Sequence, residues 1–351
     1  MKLLTELQIE SFLKSLDGDF DVRVPVSLHD GTRTLGSFAD GPLALAGGAV
    51  LQKITHVFSP QMETLATSGP QGLETPVSAG KPLLVVGFTA EDAECLAFID
   101  RFYSEDFRDD LYFAKRSPAL IVCVTGRCGK NGQFLKMAGG QCDLELVANG
   151  QGYIVIGYTE AGMTMVEKMR DGRATEPADL VDVETESDNL STEDLELLQA
   201  ASSLLQDEKV PEEFWQGISD RCIACTSCNL ICPTCTCFDV FDRQAGDKVE
   251  RWRIWDSCQL DGFMREASGH NPLGQEKLRT RRRIHHKLGA DVRRWGQMTC
   301  MLCGRCDDVC PTGIGIKAVC REMVDQYGPV DPTDMDMETD GREVVDQCDP
   351  V

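Results

Sequence analysis

Apolar and polar positions in the first half of the chain alternate between strand-length and helix-length patterns. Leu3, Leu4, Leu7, Phe12, Leu13 and Leu16 recur at helical spacing with Glu6, Glu10 and Asp17 among them, which predicts one amphipathic, core-packing helix over residues 1–17. Asp21 to Ser27, Asp30-Gly31 and Thr32 to Leu35 read as a β-hairpin, because Asp-Gly readily takes the positive φ of a tight turn. Lys81 to Phe88, Ala119 to Val124 and Tyr153 to Tyr158 are apolar runs of strand length. Thr89-Ala90-Glu91-Asp92 starts a capped helix continued by Ala93, Leu96, Ala97 and Phe102. Strands alternating with helices predict an α/β domain over residues 1–170.

The pattern then breaks. Asp171 to Asp194 holds nine acidic residues and one basic residue, Arg173, among Pro, Ser and Thr, the composition of a solvated linker. Leu195, Leu198, Ala201 and Leu205 resume a helical period after Ser191, a candidate N-cap, and open a second domain over residues 195–327. Residues 328–351 are acidic again, with eight acidic residues and Arg342 as the one basic residue from Asp331 onward, and are expected to form a tail. At 351 residues, 42% apolar and a formal charge of −22, the chain has the makings of a sizeable core. Its acidity argues against a duplex nucleic acid or anionic membrane partner, either of which needs clustered Lys and Arg, and favours protein partners. No apolar run reaches the ~18 residues of a membrane span, and the N-terminus lacks the apolar stretch and cleavage site of a secretory signal. The expected compartment is the cytoplasm, where reduced thiols serve more often as metal ligands than as bridges.

Cysteine changes this picture most, with 17 in the chain. Cys222, Cys225, Cys228 and Cys232 stand in C-I-A-C-T-S-C-N-L-I-C-P, and Cys300, Cys303, Cys306 and Cys310 in C-M-L-C-G-R-C-D-D-V-C-P. Both are C-x2-C-x2-C-x3-C-P, the run in which three thiolates hold one 4Fe-4S cubane and the fourth ligates the other. This predicts Cys222, Cys225, Cys228 and Cys310 around one cluster, and Cys300, Cys303, Cys306 and Cys232 around a second. Pro233 and Pro311 end each loop by fixing φ and removing a donor. Structural zinc is the alternative, since C-x2-C is its commonest half-site, but zinc needs no third and fourth cysteine at this spacing, twice. The 233–299 insertion between the motifs reads as mostly helical, within a mainly α, ferredoxin-like two-cluster domain.

At C-P-T-C-T-C-F-D (Cys232 to Asp239), Trp255-Asp256-Ser257-Cys258, His270-Asn271-Pro272, the basic run Arg281 to Lys287 and the second cysteine motif, the chain resembles the iron–sulfur β subunit of sulfhydrogenases and the corresponding iron–sulfur subunit of anaerobic sulfite reductase. Related chains occur in flavin oxidoreductase complexes that feed heterodisulfide reductase. The resemblance covers about residues 212–325. Members often carry Gly-x-Arg-Pro-Cys-Asp where this chain has Gly87-Phe88-Thr89-Ala90-Glu91-Asp92, so no N-terminal functional residue is carried over. The resemblance implies two 4Fe-4S clusters on this chain and FAD with NAD(P) on a partner flavoprotein. It further implies a terminal partner of hydrogenase, sulfite reductase or heterodisulfide reductase type, and does not by itself imply catalysis in this chain. The N-terminal domain would serve subunit docking.

Other residues leave alternatives open. Cys235, Cys237 and Cys258 either pack near the first cluster with sulfur-directed hydrogen bonds, help bind a third metal centre that reduces a sulfur substrate, or form a redox-active thiol pair. Arg281, Arg282 and Arg283 either stabilise a reduced cluster, dock an acidic partner or form a solvated helix face. Cys95, Cys123 and Cys142 read as small buried hydrophobes. Thr125 to Gly132, with Cys128, fails the G-x4-G-K-[ST] spacing of a phosphate loop and reads as an ordinary αβ loop.

Overall fold

A computed structural model describes residues 1–69, 72–76 and 80–328; most of the expected tail lies outside them. The chain starts with β1 (Lys2–Leu4), α1 (Glu6–Ser15), β2 (Asp21–Ser27), β3 (Arg33–Gly36), β4 (Met62–Gly69), β5 (Gly72–Glu74) and β6 (Leu83–Phe88). It continues through α2 (Ala90–Ser104), α3 (Asp110–Arg116), β7 (Leu120–Gly126), β8 (Leu144–Ala148), β9 (Tyr153–Gly157), α4 (Glu160–Lys168) and β10 (Arg173–Ala174). Eight of these strands form one mixed sheet in the order β10-β1-β9-β8-β7-β6-β2-β3. The run β2-β6-β7-β8 is parallel and the remaining pairs are antiparallel. In β6, Leu84 and Val86 face a core completed by α1 and α4, whereas Val85 and Phe88 face one completed by α2 and α3. Burial on both sides explains why β6 and β7 read as continuous apolar runs.

The expected helix over residues 1–17 begins later. Thr5 and Gln8 form a capping box that starts α1 at Glu6, which frees Lys2–Leu4 to enter the sheet between β9 and β10. Leu7 is 76% exposed and is no part of the core. The hairpin β2-β3 and the Thr89–Asp92 cap of α2 match their patterns.

The acidic stretch 171–194 is not a solvated linker throughout. It carries β10 and α5 (Val181–Asp188), and Leu180 and Val183 pack on Val147 and Ile154 of the sheet. Two apolar residues suffice to dock the segment while its carboxylates stay in water.

The remaining helices are α6 (Glu193–Gln206), α7 (Glu212–Ser219), α8 (Ser227–Leu230), then, beyond the strands β11 (Phe238–Ala245) and β12 (Lys248–Trp255), α9 (Glu276–His285), α10 (Asp291–Trp295), α11 (Arg305–Asp308) and α12 (Ile316–Tyr327). Leu198, Leu205, Trp215, Ile284, Leu288, Val319 and Met323 make their common core. A π-turn over His286–Ala290 joins α9 to α10. The insertion 233–299 is thus not mostly helical: its first third is the hairpin β11-β12, and β12 pairs with β4 of the N-terminal half in a second antiparallel sheet, β11-β12-β4-β5. Val240, Phe241, Val249, Trp252 and Ile254 supply the β-branched and aromatic residues that fit such a ladder. Trp295 of α10 stacks edge-on to Phe98 of α2, with ring centroids 5.5 Å apart. The two halves therefore interlock rather than hang from a tether.

Candidate metal centre

Both cysteine motifs adopt the same backbone course. In the first, Ala224 and Thr226 take φ of 52° and 64°; in the second, Leu302 and Gly304, at the equivalent positions, take 57° and 74°. Left-handed conformations at three residues that carry a Cβ cost about 1–2 kcal/mol each, and strain of this kind concentrates where function requires it. Here the alternating turns aim successive thiols inward. The short helices α8 and α11 then carry the chain to Cys232 and Cys310, and they pack on each other.

The result is two cavities. One is lined by Cys222, Cys225, Cys228 and Cys310; the other by Cys232, Cys300, Cys303 and Cys306, with Cys228 on the wall they share, so in each set of four one cysteine comes from the opposite motif. Among the described residues no three His, Cys, Asp or Glu side chains converge closely enough to grip a single metal ion. Four thiols spread around a cavity suit an inorganic core of several atoms, and the soft, all-sulfur donor set suits iron–sulfur chemistry.

The cavities differ in surroundings. Cys225 is exposed and its neighbour Ile223 is 64% exposed. The second cavity also receives Cys95, a fully buried residue of α2. The proximity of the Cys95 and Cys303 thiols raises the affinity of Cys95 for its proton and lowers that of Cys303. Cys95 is thus more than a small buried hydrophobe; its place in an apolar helical run concealed this. The reading holds better for Cys123 and Cys142, which contact one another in the α/β core away from both cavities.

Arg283 lines both cavities and is buried. Its one hydrogen bond runs from Nη2 to Ile314 O at 2.7 Å, and among the described residues it has no carboxylate partner. Burial opposes its charge, yet the Cys228, Cys306 and Cys310 sulfurs hold its pKa above the ordinary arginine value. Arg281 instead points outward to Glu212 at 2.5 Å, and Arg282 is half-buried at neither cavity. Of the three arginines only Arg283 reaches the centre.

Three further cations were not singled out by the sequence. Lys287, one turn beyond Arg283, donates from Nζ to Thr234 Oγ1 at 2.7 Å; burial disfavours its charge, but Cys232, Cys235 and Cys300 more than compensate. Lys53 comes from the N-terminal half, donates to Cys235 O at 2.6 Å and lies 4.4 Å from the Trp255 ring centroid. Arg305, inside the second motif, is 1% exposed and clamps Asp92 of α2 through Nη1–Oδ1 and Nη2–Oδ2 contacts of 2.5 and 2.9 Å. The Lys287 signal was present in the basic run, whereas Lys53 lies in unpatterned sequence some 180 positions from its partner.

Outside the Leu302–Gly304 loop lies an open cleft of about 990 Å³, bordered by Arg33, Gly48, Lys130, Lys136, Asp194 and Lys317. The loop after β7 forms part of its rim, with Cys128 turned inward to Thr125 O.

This arrangement defines a class. Residues 221–314 match the 4Fe-4S dicluster domain family, which covers both motifs and the hairpin between them. Beyond that domain, 257 residues, 68% of this chain and 73% of the relative, align at 26% identity with sulfhydrogenase 2 subunit beta of Pyrococcus furiosus. The chain is thus related to the iron–sulfur β subunits of sulfhydrogenases, and it is an iron–sulfur electron-transfer subunit. No solved structure matches the chain. Among the described residues no helix is long and apolar enough to cross a membrane.

Proposed function

We propose that this chain is a cytoplasmic relay which passes single electrons between a flavoprotein subunit binding FAD and NAD(P)H and a terminal subunit of hydrogenase, sulfite reductase or heterodisulfide reductase type. In this reading Cys222, Cys225, Cys228 and Cys310 hold one 4Fe-4S cluster and Cys232, Cys300, Cys303 and Cys306 the other. The observation that carries it is the pair of four-thiol cavities, built on matched backbone turns and sharing Arg283 as a common wall. Bound there, the clusters supply one-electron chemistry at potentials set by charge, hydrogen bonding and burial.

The chain's own residues do the rest. Arg283 and Lys287 place fixed positive charge against thiolates that would otherwise repel an added electron. Ile314 N–H, 3.4 Å from Cys310 Sγ, and the Thr312 and Thr234 hydroxyls beside Cys310 and Cys232 spread ligand charge further. The α/β half closes the second cavity with Cys95, holds the Cys235 carbonyl with Lys53 and offers its outer face for subunit docking.

The test is anaerobic purification from the native source with metal and sulfide analysis. About eight irons per chain, EPR signals from two reducible 4Fe-4S centres and a co-purifying flavoprotein are expected. A colourless, zinc-containing preparation would overturn the reading.

A further inference from the structure

Cys237 and Cys258 line neither four-thiol cavity. The hairpin brings them together: the β11-β12 ladder ends with Phe238 opposite Trp255, and Asp256 N–H donates to Cys237 O at 2.9 Å, which folds Ser257 and Cys258 back over Cys237. The two thiols lie close enough to shift each other's affinity for a proton. Cys258 is 5% exposed and Cys237 is partly open to solvent.

A second residue makes this more than an accidental contact. Asn229, 2% exposed, aims Nδ2 at Cys258 Sγ at 3.0 Å and at Ser257 Oγ at 3.1 Å. A buried amide donor spent on a sulfur is a poor bond to a neutral thiol and a good one to a thiolate. With the Cys237 thiol as the strongest influence, and Asn229 and Gln259 adding to it against the penalty of burial, Cys258 is pulled down to about 6. Cys237 moves the opposite way, raised by its contact with Cys258 and by burial.

We propose that Cys237 and Cys258 form a redox-active dithiol that closes to an intramolecular disulfide by exchange with a low-molecular-weight disulfide. Cys237, on the solvent side, hands its proton to the Cys258 thiolate as its sulfur bonds to one sulfur of the incoming disulfide and that disulfide's bond breaks, and Cys258 then passes the proton to the first thiolate released. The Cys258 thiolate then bonds to Cys237 Sγ and expels the second thiolate. The protein gives up two electrons and one proton, and the disulfide is reduced to one thiol and one thiolate. Asn229 acts as a positioning residue that keeps the buried partner charged. The proposal is independent of the cluster assignment, since neither sulfur borders a cavity assigned to a cluster.

The full-length protein, purified anaerobically with its metal, is equilibrated in mixtures of reduced and oxidised glutathione, alkylated and peptide-mapped. The expected result is a Cys237–Cys258 linkage whose occupancy follows a two-electron curve with unchanged iron, is absent in C237S and C258S, and is accompanied in N229A by several-fold slower alkylation of reduced Cys258 at pH 7. Absence of the linkage at every glutathione ratio would overturn it. So would a wild-type iron content about four atoms above that of C237S, the mark of a third 4Fe-4S centre holding these sulfurs. An iron-free chain that still forms the linkage would sink the relay and leave the dithiol standing.

Discussion

The two four-thiol cavities share one backbone plan and differ in what encloses them. The first opens to solvent at Cys225 and Ile223, and the second is roofed by the α/β half through Cys95, Lys53 and the Arg305–Asp92 clamp. The same motif therefore yields two electrostatic sites. The thiolates fix the type of centre, and residues remote in sequence fix its setting. Burial penalises the extra negative charge of a reduced cluster, whereas the Lys287 ammonium on the cavity wall favours it; burial outweighs the nearby sulfurs at Lys53, so Lys287 is the cation that decides, and the second centre is expected at the higher potential.

The largest effect tests the crossed ligand pattern. Cys310→Ser should abolish or convert the centre held by Cys222, Cys225 and Cys228 and spare the other, lowering iron from about eight towards four per chain. Site-resolved EPR in which the Cys300 centre changes instead would break the assignment. Next comes the roof. Arg305→Ala leaves Asp92 charged and buried, which costs about 3–5 kcal/mol; chemical denaturation of the reconstituted protein should show that loss, with R305K recovering part of it. A loss no larger than that of an exposed substitution would mean that the α/β half does not lean on this contact.

Smaller shifts separate the cations. Lys287→Met should lower the potential of the second centre by on the order of 50–100 mV, from a Coulomb energy of a few kcal/mol at an effective dielectric constant near 20, and hardly move the first. Arg283→Gln should lower both. Redox titration followed by EPR reads this directly, and equal responses to the two substitutions would erase the electrostatic distinction. Last, Ile223→Asp should slow electron delivery at the exposed edge by about tenfold, equivalent to ~1.4 kcal/mol of lost docking energy, with iron content and potentials unchanged.

These contrasts also mark what could be read from the amino-acid order alone. The gathering of eight thiols around two cavities was legible because the twice-repeated C-x2-C-x2-C-x3-C-P spacing is a local signal, and β6, β7 and α2 because apolar runs and caps are local signals too. The hairpin β11-β12 was not: β11 is exposed on both faces, as Val240 at 41% and Phe241 at 37% show, so alternation gave no core face to detect there. β8 was hidden by Glu145, a wholly buried carboxylate that accepts from Thr125 Oγ1, Tyr158 Oη and Ala138 N at 2.7, 2.6 and 2.6 Å. Cys95 reaches the second cavity, and Lys53 the Cys235 carbonyl, by tertiary packing alone, and no local pattern reports a contact across some 180 positions or more.

The pairing of β4 with β12 bears on how such a molecule can be taken apart. Scission within 171–194 would strip each fragment of a neighbour strand, leaving β12 and β4 as raw borders ready to zip onto any extended peptide at hand. Independent halves would clump rather than behave as tidy modules, and a genetic fusion or split of this polypeptide would have to carry both strands on the same piece.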